Sequence, residues 1–335
     1  MPKVSVIIPN YNHARFLIKR IQSVLDQTYQ DFEIIYLDDS STDSSKEVFA
    51  KFADNPRIRA IYNQTNSGSP FKQWNRGVRH ANGEYIWIAE SDDYADPRFL
   101  ETLVPVLDNN PQVGLAYCQS WQVNQFGSIT STLDWWTDSL SKVHWSDNFI
   151  SSGLDECTKY LIFRNTIPNA SAVLIKRHLY QEVGYAEESM VFCGDWMTWV
   201  KLLLKSDVAF IATRLNYFRD HSSSVRSRSY YNGIHVYEKS QLINFISQRV
   251  NLPRQTLETV SEAVMNEWFS LTLMRQGSIP WERNLKIYGM VRKWDSQVEL
   301  KFVKKLVIYY LNRVNHKGKR LLVLIGTFLW KKEGC

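Results

Sequence analysis

Short apolar runs and amphipathic stretches alternate along the first 120 residues of the chain. The apolar runs predict buried strands over Val4–Pro9, Phe32–Asp38, Ile58–Tyr62, Tyr85–Ala89 and Val113–Gln119. The stretches between them predict helices over Ala14–Gln27, Asp43–Phe52, Pro70–His80 and Pro97–Asn110. This alternation predicts an α/β fold with a mostly parallel sheet flanked by helices.

The pattern becomes less regular after residue 120, where a Trp-rich stretch runs to about residue 170. Three further elements are predicted, namely a strand over Ala172–Ile175, a helix over Asp195–Lys205, and a strand over Val208–Phe218 with a break near Thr213. The remainder is helical in several pieces. We therefore expect three parts, residues 1–120, 121–230 and 231–335, of which the last is a helical C-terminal region.

Composition excludes several classes of protein. Hydrophobic residues make up 44% and charged residues 22% of the 335 residues, which excludes global disorder. No apolar run reaches the roughly 18–20 residues that a membrane span requires, and the longest is Leu321–Trp330. The four cysteines form no Cys-x-x-Cys pair, and Met1 is followed almost at once by a predicted strand instead of a signal peptide. These features predict a cytoplasmic protein.

Positive charge is concentrated at the C-terminus. Residues 301–335 contain nine Lys or Arg residues and one acidic residue, Glu333, so the rest of the chain is slightly acidic although the whole carries a net charge of +6. The charge distribution therefore does not indicate a nucleic-acid-binding surface over the main body. The basic, partly apolar tail either lies on an anionic membrane, at the inner face, or forms a helical cap with a solvated basic face.

Polar clusters follow three of the predicted strands, at the edge where ligands bind in open parallel sheets. The first is Pro9-Asn10-Tyr11-Asn12, in which Tyr11 either stacks on a base or belongs to a plain polar turn. The second is Asp38–Asp43, in which a carboxylate either accepts a hydrogen bond from a base N–H or caps the next helix.

The third cluster, Glu90–Asp96, is strongly acidic. Glu90, Asp92 and Asp93 repel one another unless a positive charge lies among them. Hard oxygen ligands suit Mg²⁺ or Mn²⁺, which bridge to phosphate through one or two protein carboxylates. The alternative is a solvated acidic loop that caps the helix beginning at Pro97.

Two downstream motifs are also candidates for chemistry. Asp195, which follows Gly194, is either a helix N-cap or a partly buried general base. In the segment 219–226, Arg219, His221 and the serines either hold a diphosphate or a metal, or are structural.

Taken in order, these clusters resemble the family 2 glycosyltransferases, which are inverting enzymes of the GT-A fold. The motifs that carry the resemblance are Val4–Asn12, Ser23–Tyr29, Asp31–Ile35, Asp38–Asp43, Gly83–Ile86 and Ser91–Asp93. By this resemblance, residues 1–120 form the nucleotide-sugar-binding half of one domain and residues 121–230 its acceptor-binding and catalytic half.

The resemblance also implies roles for residues on the donor side. Tyr11 and Asp39 are expected to bind the nucleobase, against which Pro9 lies. Asp92 is expected to bind ribose or sugar, and Lys72 to pair with phosphate. The donor is expected to be a nucleotide-diphosphate sugar, with UDP-sugar favoured.

The metal and the catalytic base are assigned in the same way. Asp93 is expected to ligate Mn²⁺ or Mg²⁺ that bridges the diphosphate, with His221 beside it, and Asp195 is expected to be the base. The acceptor is expected to be a hydroxyl of a glycan or of a lipid-linked glycan.

Three related classes compete with this interpretation. Processive polysaccharide synthases carry a Gln-x-x-Arg-Trp motif and several membrane spans, both of which are missing from this sequence. Sugar nucleotidyltransferases carry a Gly-rich loop after the first strand, where this chain has Asn10–Arg15 without glycine. A catalytically inactive nucleotide- or sugar-binding module of the same fold remains the alternative.

Overall fold

A computed structural model describes residues 1–221, 232–274 and 279–313 of the chain. The chain divides into two compact units, one made of Met1–Tyr230 and Gln241–Leu252 and the other of Tyr231–Ser240 and Pro253–Cys335. Part of the predicted motif at 219–226, namely residues 222–226, lies outside the described residues, as do residues 314–335 of the basic tail.

Ten strands form one sheet within the described residues. They are β1 (Val4–Asn10), β2 (Phe32–Asp38), β3 (Ile58–Tyr62), β4 (Tyr85–Ile88), β5 (Tyr94–Ala95), β6 (Val113–Val123), β7 (Ile129–Thr132), β8 (Phe149–Ser151), β9 (Val173–Lys176) and β10 (Asp207–Arg219).

Helices connect these strands and follow the last one. In the first part of the chain they are α1 (Ala14–Leu25), α2 (Ser45–Ala50), α3 (Pro70–His80), α4 (Phe99–Asn109), α5 (Trp135–Asp138), α6 (Gly153–Glu156), α7 (Arg177–Glu182) and α8 (Gly194–Leu203). After β10 come α9 (Ile234–Ser247), α10 (Arg254–Phe269), α11 (Trp281–Trp294) and α12 (Val298–Arg313). Short π-helical turns follow α6 and α10, at Cys157–Leu161 and Ser270–Met274.

The main path of the sheet has the order β3-β2-β1-β4-β9-β6-β10-β5. Strands β3, β2, β1 and β4 run parallel, and so do β6 and β10. Strand β9 runs antiparallel to both of its neighbours, β4 and β6. The predicted mostly parallel sheet is confirmed in its longest pairings, and β9 joins its two parallel parts.

The core forms around β1, which is buried along its whole length. Val6 and Ile8 pack in one cluster with Leu17 and Ile21 of α1. Ile7, which lies between Val6 and Ile8, contacts α3. A Cβ added at Gly77 of α3 would lie 2.4 Å from Ile7 Cγ2, so glycine permits this close approach. A strand with apolar side chains on both faces is typical of a parallel sheet covered on both sides by helices.

The irregularity predicted near Thr213 is present in β10. The strand is continuous, but its register against β6 shifts between Ile211 and Arg214. Such a bulge bends the strand and redirects the side chains that follow it. The residues after the shift lead to Arg219, at the end of β10.

The second unit is helical over the described residues. Val260 and Val264 of α10 are fully or almost fully buried, and Ser261 donates to the carboxylate of Asp295 at 2.9 Å. We find no helix among the described residues with the length and apolar character needed to cross a membrane. The helical C-terminal region expected from the sequence is therefore confirmed as far as the structure describes it.

Candidate functional site

The turns after β1 and β2 are joined by hydrogen bonds at the carboxyl edge of the sheet. Asn10 Nδ2 donates to Asp38 Oδ2 at 3.3 Å and to Ser41 Oγ at 3.1 Å. Asn12 has a φ of 58°, and its Oδ1 accepts from the backbone N–H of Thr42 at 2.7 Å. The first two predicted polar clusters therefore form one surface, on which the Tyr11 side chain is 45% exposed. Pro9 is buried within β1.

Asp39 lies buried beside this surface, with only 4% of its area exposed. Its carboxylate accepts five hydrogen bonds, from Asn63 Nδ2, Asn66 Nδ2, the N–H and the hydroxyl of Ser67, and Gln73 Nε2. Asp39 therefore organises residues 63–73 around the end of β2. Its expected contact with a nucleobase stays a prediction.

The acidic loop after β4 is held from two sides. On the inner side, the fully buried Arg20 donates from Nε to the carbonyl of Glu90 at 2.8 Å, and Trp74 Nε1 donates to Glu90 Oε1 at 2.7 Å. Burial, together with the charge of Asp92, raises the pKa of Glu90 to about 8. Glu90 is therefore bonded to Arg20 and Trp74 on the inner side of the loop, and the residue remains partly exposed.

Asp93 also points inward. Its Oδ2 accepts from Asn169 Nδ2 at 3.0 Å and its Oδ1 from the backbone N–H of Arg219 at 2.8 Å. Burial and the neighbouring Asp92 charge raise the pKa of Asp93 to about 6. Both oxygens of this carboxylate are thus engaged within the protein, and its expected role as metal ligand stays a prediction.

Asp92 faces two histidines. Its Oδ2 lies 2.9 Å from His221 Nε2, and His13 completes a group whose three potential ligand atoms lie within 4.8 Å of one another. Burial opposes ionisation of Asp92, but the hydrogen bond from His221 and the charges of both histidines outweigh it and lower the pKa of Asp92. The structure thus brings Asp92 and His221 together, 129 residues apart in the sequence.

His13 is a member of this group that the sequence did not single out. It lies just before α1, and its Nδ1 is 2.8 Å from the hydroxyl of Ser91. Burial lowers the pKa of His13 more than the charge of Asp92 raises it. The sequence feature that could have indicated His13 is its position directly after the Asn10–Asn12 turn, a segment that was considered only for binding the base.

Asp195 lies in the first turn of α8. Its Oδ2 accepts from Asn165 Nδ2 at 3.0 Å, and its Oδ1 from the N–H of Trp196 at 2.7 Å. A Cβ added at Gly194 would lie 2.3 Å from the Phe71 ring, so α8 approaches α3 closely at this point. Lys72, the next residue of α3, is exposed and donates to the Ser67 carbonyl at 3.2 Å.

Helix α3 touches three parts of the candidate site. Gln73 donates to Asp39, Trp74 donates to Glu90, and Phe71 packs under Gly194. The helix therefore links the turn after β2, the acidic loop and the start of α8. Sequence reasoning considered only Lys72 in this helix and missed the three residues that form these links.

The group of His13, Asp92 and His221 suits a divalent metal. It offers two imidazole nitrogens and one carboxylate oxygen in a half-buried position, close enough together to share one ion. Histidine and carboxylate are common ligands of divalent first-row metals. Because His13 Nδ1 is taken by Ser91, the orientation of the ring is fixed by a second contact, as is usual for a metal-binding histidine.

Residues 5–151 match the family described as Glycosyl transferase family 2. This part of the chain therefore carries a family 2 glycosyltransferase domain. A glycosyltransferase of Streptococcus pneumoniae, GlyG, is 29% identical over 228 residues, which are 66% of this chain and 72% of GlyG. An uncharacterised glycosyltransferase of Nostoc is 38% identical over 117 residues, or 34% of this chain, and the match spans only 36% of that relative.

Solved structures confirm the predicted GT-A fold. Staphylococcus aureus TarS 1–349 in complex with UDP-GlcNAc matches with a TM-score of 0.65 and 19% identity, over 88% of this chain and 81% of that one. The mannosyltransferase PcManGT of Pyrobaculum calidifontis, in complex with GDP-Man and Mn²⁺, matches with a TM-score of 0.55 and 16% identity, over 98% and 85% of the two chains. The identification of this glycosyltransferase as a family 2 member, made from its motifs, is likewise confirmed.

Proposed function

We propose that this glycosyltransferase moves a sugar from a nucleotide-diphosphate sugar, preferably a UDP-sugar, to a hydroxyl of a glycan or lipid-linked acceptor, with inversion. This reaction would serve the synthesis of polysaccharide or cell-surface glycan. The observation that carries the proposal is the group of His13, Asp92 and His221 beside the joined turns after β1 and β2. The nucleotide sugars bound by TarS and PcManGT support the class of donor.

The donor nucleotide is proposed to lie on the joined turns. The exposed Tyr11 ring offers a stacking surface for the base, with Pro9 in the strand below it. Asp39 is proposed to accept an N–H of the base in exchange for one of its five hydrogen bonds, while the others fix the wall formed by residues 63–73. Lys72, exposed next to this wall, supplies positive charge for the diphosphate.

His13, Asp92 and His221 are proposed to hold the metal in preference to the expected ligand Asp93, because both oxygens of Asp93 already accept hydrogen bonds within the protein. Two imidazole ligands favour Mn²⁺ over Mg²⁺, which prefers an all-oxygen shell. When bound, the ion would neutralise negative charge on the departing diphosphate. Asp93, bonded to Asn169 and Arg219, then fixes the loop that carries Asp92.

Asp195 is proposed to act as the general base. Asn165 and the N–H of Trp196 orient its carboxylate at the start of α8. It accepts the proton of the acceptor hydroxyl, whose oxygen attacks the anomeric carbon from the face opposite the diphosphate. A single displacement of this kind inverts the configuration and needs no covalent nucleophile.

Calorimetric titration tests the donor and metal sites. UDP, dTDP, GDP and CDP are titrated with and without Mn²⁺ into wild type, His13→Ala and Asp92→Asn, with Asp220→Asn as control. Asp220 is an exposed acid next to His221 that lies outside the group. We expect Mn²⁺-dependent binding of one nucleotide, lost in the first two variants and kept in the control. Failure of folded wild type to bind any of the four would refute the proposal.

Turnover distinguishes the enzyme from the inactive module. Asp195→Asn should bind the same nucleotide with Mn²⁺ as tightly as wild type but should neither hydrolyse nor transfer its sugar. The base assignment fails if this variant turns over at the wild-type rate. A wild type that binds donor but never consumes it, with lipid-linked and free glycan acceptors present, would favour the binding module.

We also propose that the C-terminal region contacts the inner, anionic face of a membrane, where a lipid-linked acceptor is presented. On α12 the exposed apolar side chains share one face with the exposed Lys304; they are Leu300, Val303, Val307, Ile308 and Leu311. In the sequence this helix is followed by further basic residues, among them Lys317, Lys319 and Arg320. Co-sedimentation with phosphatidylglycerol vesicles should fall sharply when residues 301–335 are deleted, whereas equal binding would favour a helical cap.

A further inference from the structure

We infer that Arg219 is the positioning residue that sets the geometry of the group formed by His13, Asp92 and His221. The inference rests on the proposed metal site and adds a residue that does not itself touch the ion. It explains how three ligands from the start of α1, the loop after β4 and the end of β10 converge.

Arg219 is bonded to the acidic loop through both its backbone and its side chain. Its backbone N–H donates to Asp93 Oδ1 at 2.8 Å, and its Nε donates to the carbonyl of Asp92 at 2.6 Å. The loop after β4 is thereby attached to the end of β10. Because His221 lies two residues further along the chain, the same attachment sets the distance between His221 and Asp92.

The other arm of the guanidinium reaches a second loop. Its Nη1 donates to the carbonyls of Asn124 and Gln125, at 3.0 and 3.1 Å, in the turn between β6 and β7. The side chain therefore connects two loops through hydrogen bonds, and the residue is only 4% exposed. Because Nε and Nη1 both donate to backbone carbonyls, we assign this side chain a structural role in place of the expected contact with phosphate.

The guanidinium also lies against the helix that follows His13. Its carbon is 4.6 Å from the centre of the Phe16 ring. That ring lies 5.3 Å from the His221 ring and 5.9 Å from the His13 ring. Arg219 and Phe16 together thus border all three members of the group.

The choice of acceptors has a chemical consequence. The Arg219 side chain donates to backbone carbonyls and leaves the Asp92 carboxylate to His221. The positive charge can offset the acidic loop without occupying the carboxylate that a metal needs. Lysine has the same charge but lacks the planar fork that reaches two loops at once.

The test compares Mn²⁺ affinity, in the presence of saturating UDP, between wild type and the full-length Arg219→Lys and Arg219→Gln variants. Residues that orient metal ligands typically change metal affinity by about 10- to 100-fold, and we expect the Kd to rise within this range for both. Arg214→Lys is the control, because Arg214 lies on the same strand but contacts Trp121 and Asp134. Its Kd should equal that of wild type.

Thermal unfolding without metal separates positioning from mere stability. A purely structural role would lower the Tm while leaving the Kd of the folded protein unchanged, and this result would overturn the inference. If Arg219→Lys does not fold, Phe16→Leu tests the contact between Arg219 and the Phe16 ring. An unchanged Kd for Mn²⁺ in that variant would also overturn the inference. Wild type that binds no Mn²⁺ would refute the proposed function as well, whereas wild-type affinity in the Arg219 variants would refute this inference alone.

Discussion

Asp39→Asn changes the most heavily hydrogen-bonded carboxylate of the candidate site. Asparagine has the same shape but replaces one acceptor oxygen by an NH₂ donor. In the native protein one carboxylate oxygen receives Asn63, Gln73 and the Ser67 N–H, while the other receives Asn66 and the Ser67 hydroxyl. The NH₂ group therefore meets donors on whichever side it lies.

The less costly orientation places the NH₂ group toward Asn66 and the Ser67 hydroxyl. The hydroxyl can rotate to accept, but the Asn66 amide cannot turn over without losing the bond from Gly68 N–H to its oxygen. One hydrogen bond is thus lost, and the remaining ones no longer involve a charged acceptor. At about 1–3 kcal/mol for the unsatisfied donor, and a smaller loss for each weakened bond, we expect a destabilisation of about 2–4 kcal/mol.

Urea unfolding followed by Trp fluorescence measures this change in the free energy of unfolding. Asp31→Asn, an exposed aspartate just before β2, is the matched control and should stay within about 0.5 kcal/mol of wild type. Ser67→Ala should fall between the two, because it removes one of the five bonds. Equal unfolding free energies for Asp39→Asn and Asp31→Asn would refute the view that Asp39 organises residues 63–73.

Two further predictions concern other contacts near the site. Gly194→Ala should destabilise the protein by about 1–3 kcal/mol, because the new methyl would overlap the buried Phe71 ring. A Tm equal to that of wild type would contradict this prediction. Gly289→Ala is the control, because nothing lies within 4 Å of a Cβ added there. Asp43→Ala should cost about 1 kcal/mol, because this carboxylate accepts the backbone N–H groups of Ala14 and Ser45. Burial opposes ionisation of Asp43, but these bonds and the Ser45 hydroxyl outweigh it and lower its pKa. The stabilisation is therefore present at neutral pH and is lost as the pH falls, so the difference from wild type in urea unfolding should shrink toward about pH 3. A difference that grows on acidification would contradict this sign.

The repeating part of the fold could be predicted from the sequence because each element has its own local signal. The buried runs of β1, β2 and β4 are read directly from their apolar residues, and their alternation with helices predicts a mostly parallel sheet. A strand was expected over Ala172–Ile175 and is observed as β9, but its antiparallel direction was not expected. Direction depends on the path by which the chain returns to the sheet, and no short segment encodes that path.

The candidate site was predictable in its motifs but not in its pairings. Asp92, Asp93 and His221 were all identified, yet which carboxylate meets the histidine depends on side-chain directions set by Asn169 and Arg219. His13 was missed because a single histidine in a polar turn has no distinguishing spacing. Its relevance arises only when the start of α1 is brought to the loop after β4.

Helix α3 has a consequence for redesign of this protein. Phe71, Gln73 and Trp74 each touch a different part of the site from within four consecutive positions. A library aimed at new donors can randomise the exposed positions of the turns after β1 and β2 while these three side chains are kept. Changing any of the three would remove a contact that supports the turn after β2, the acidic loop or the start of α8. In such variants a change of specificity could not be distinguished from a loss of structural support.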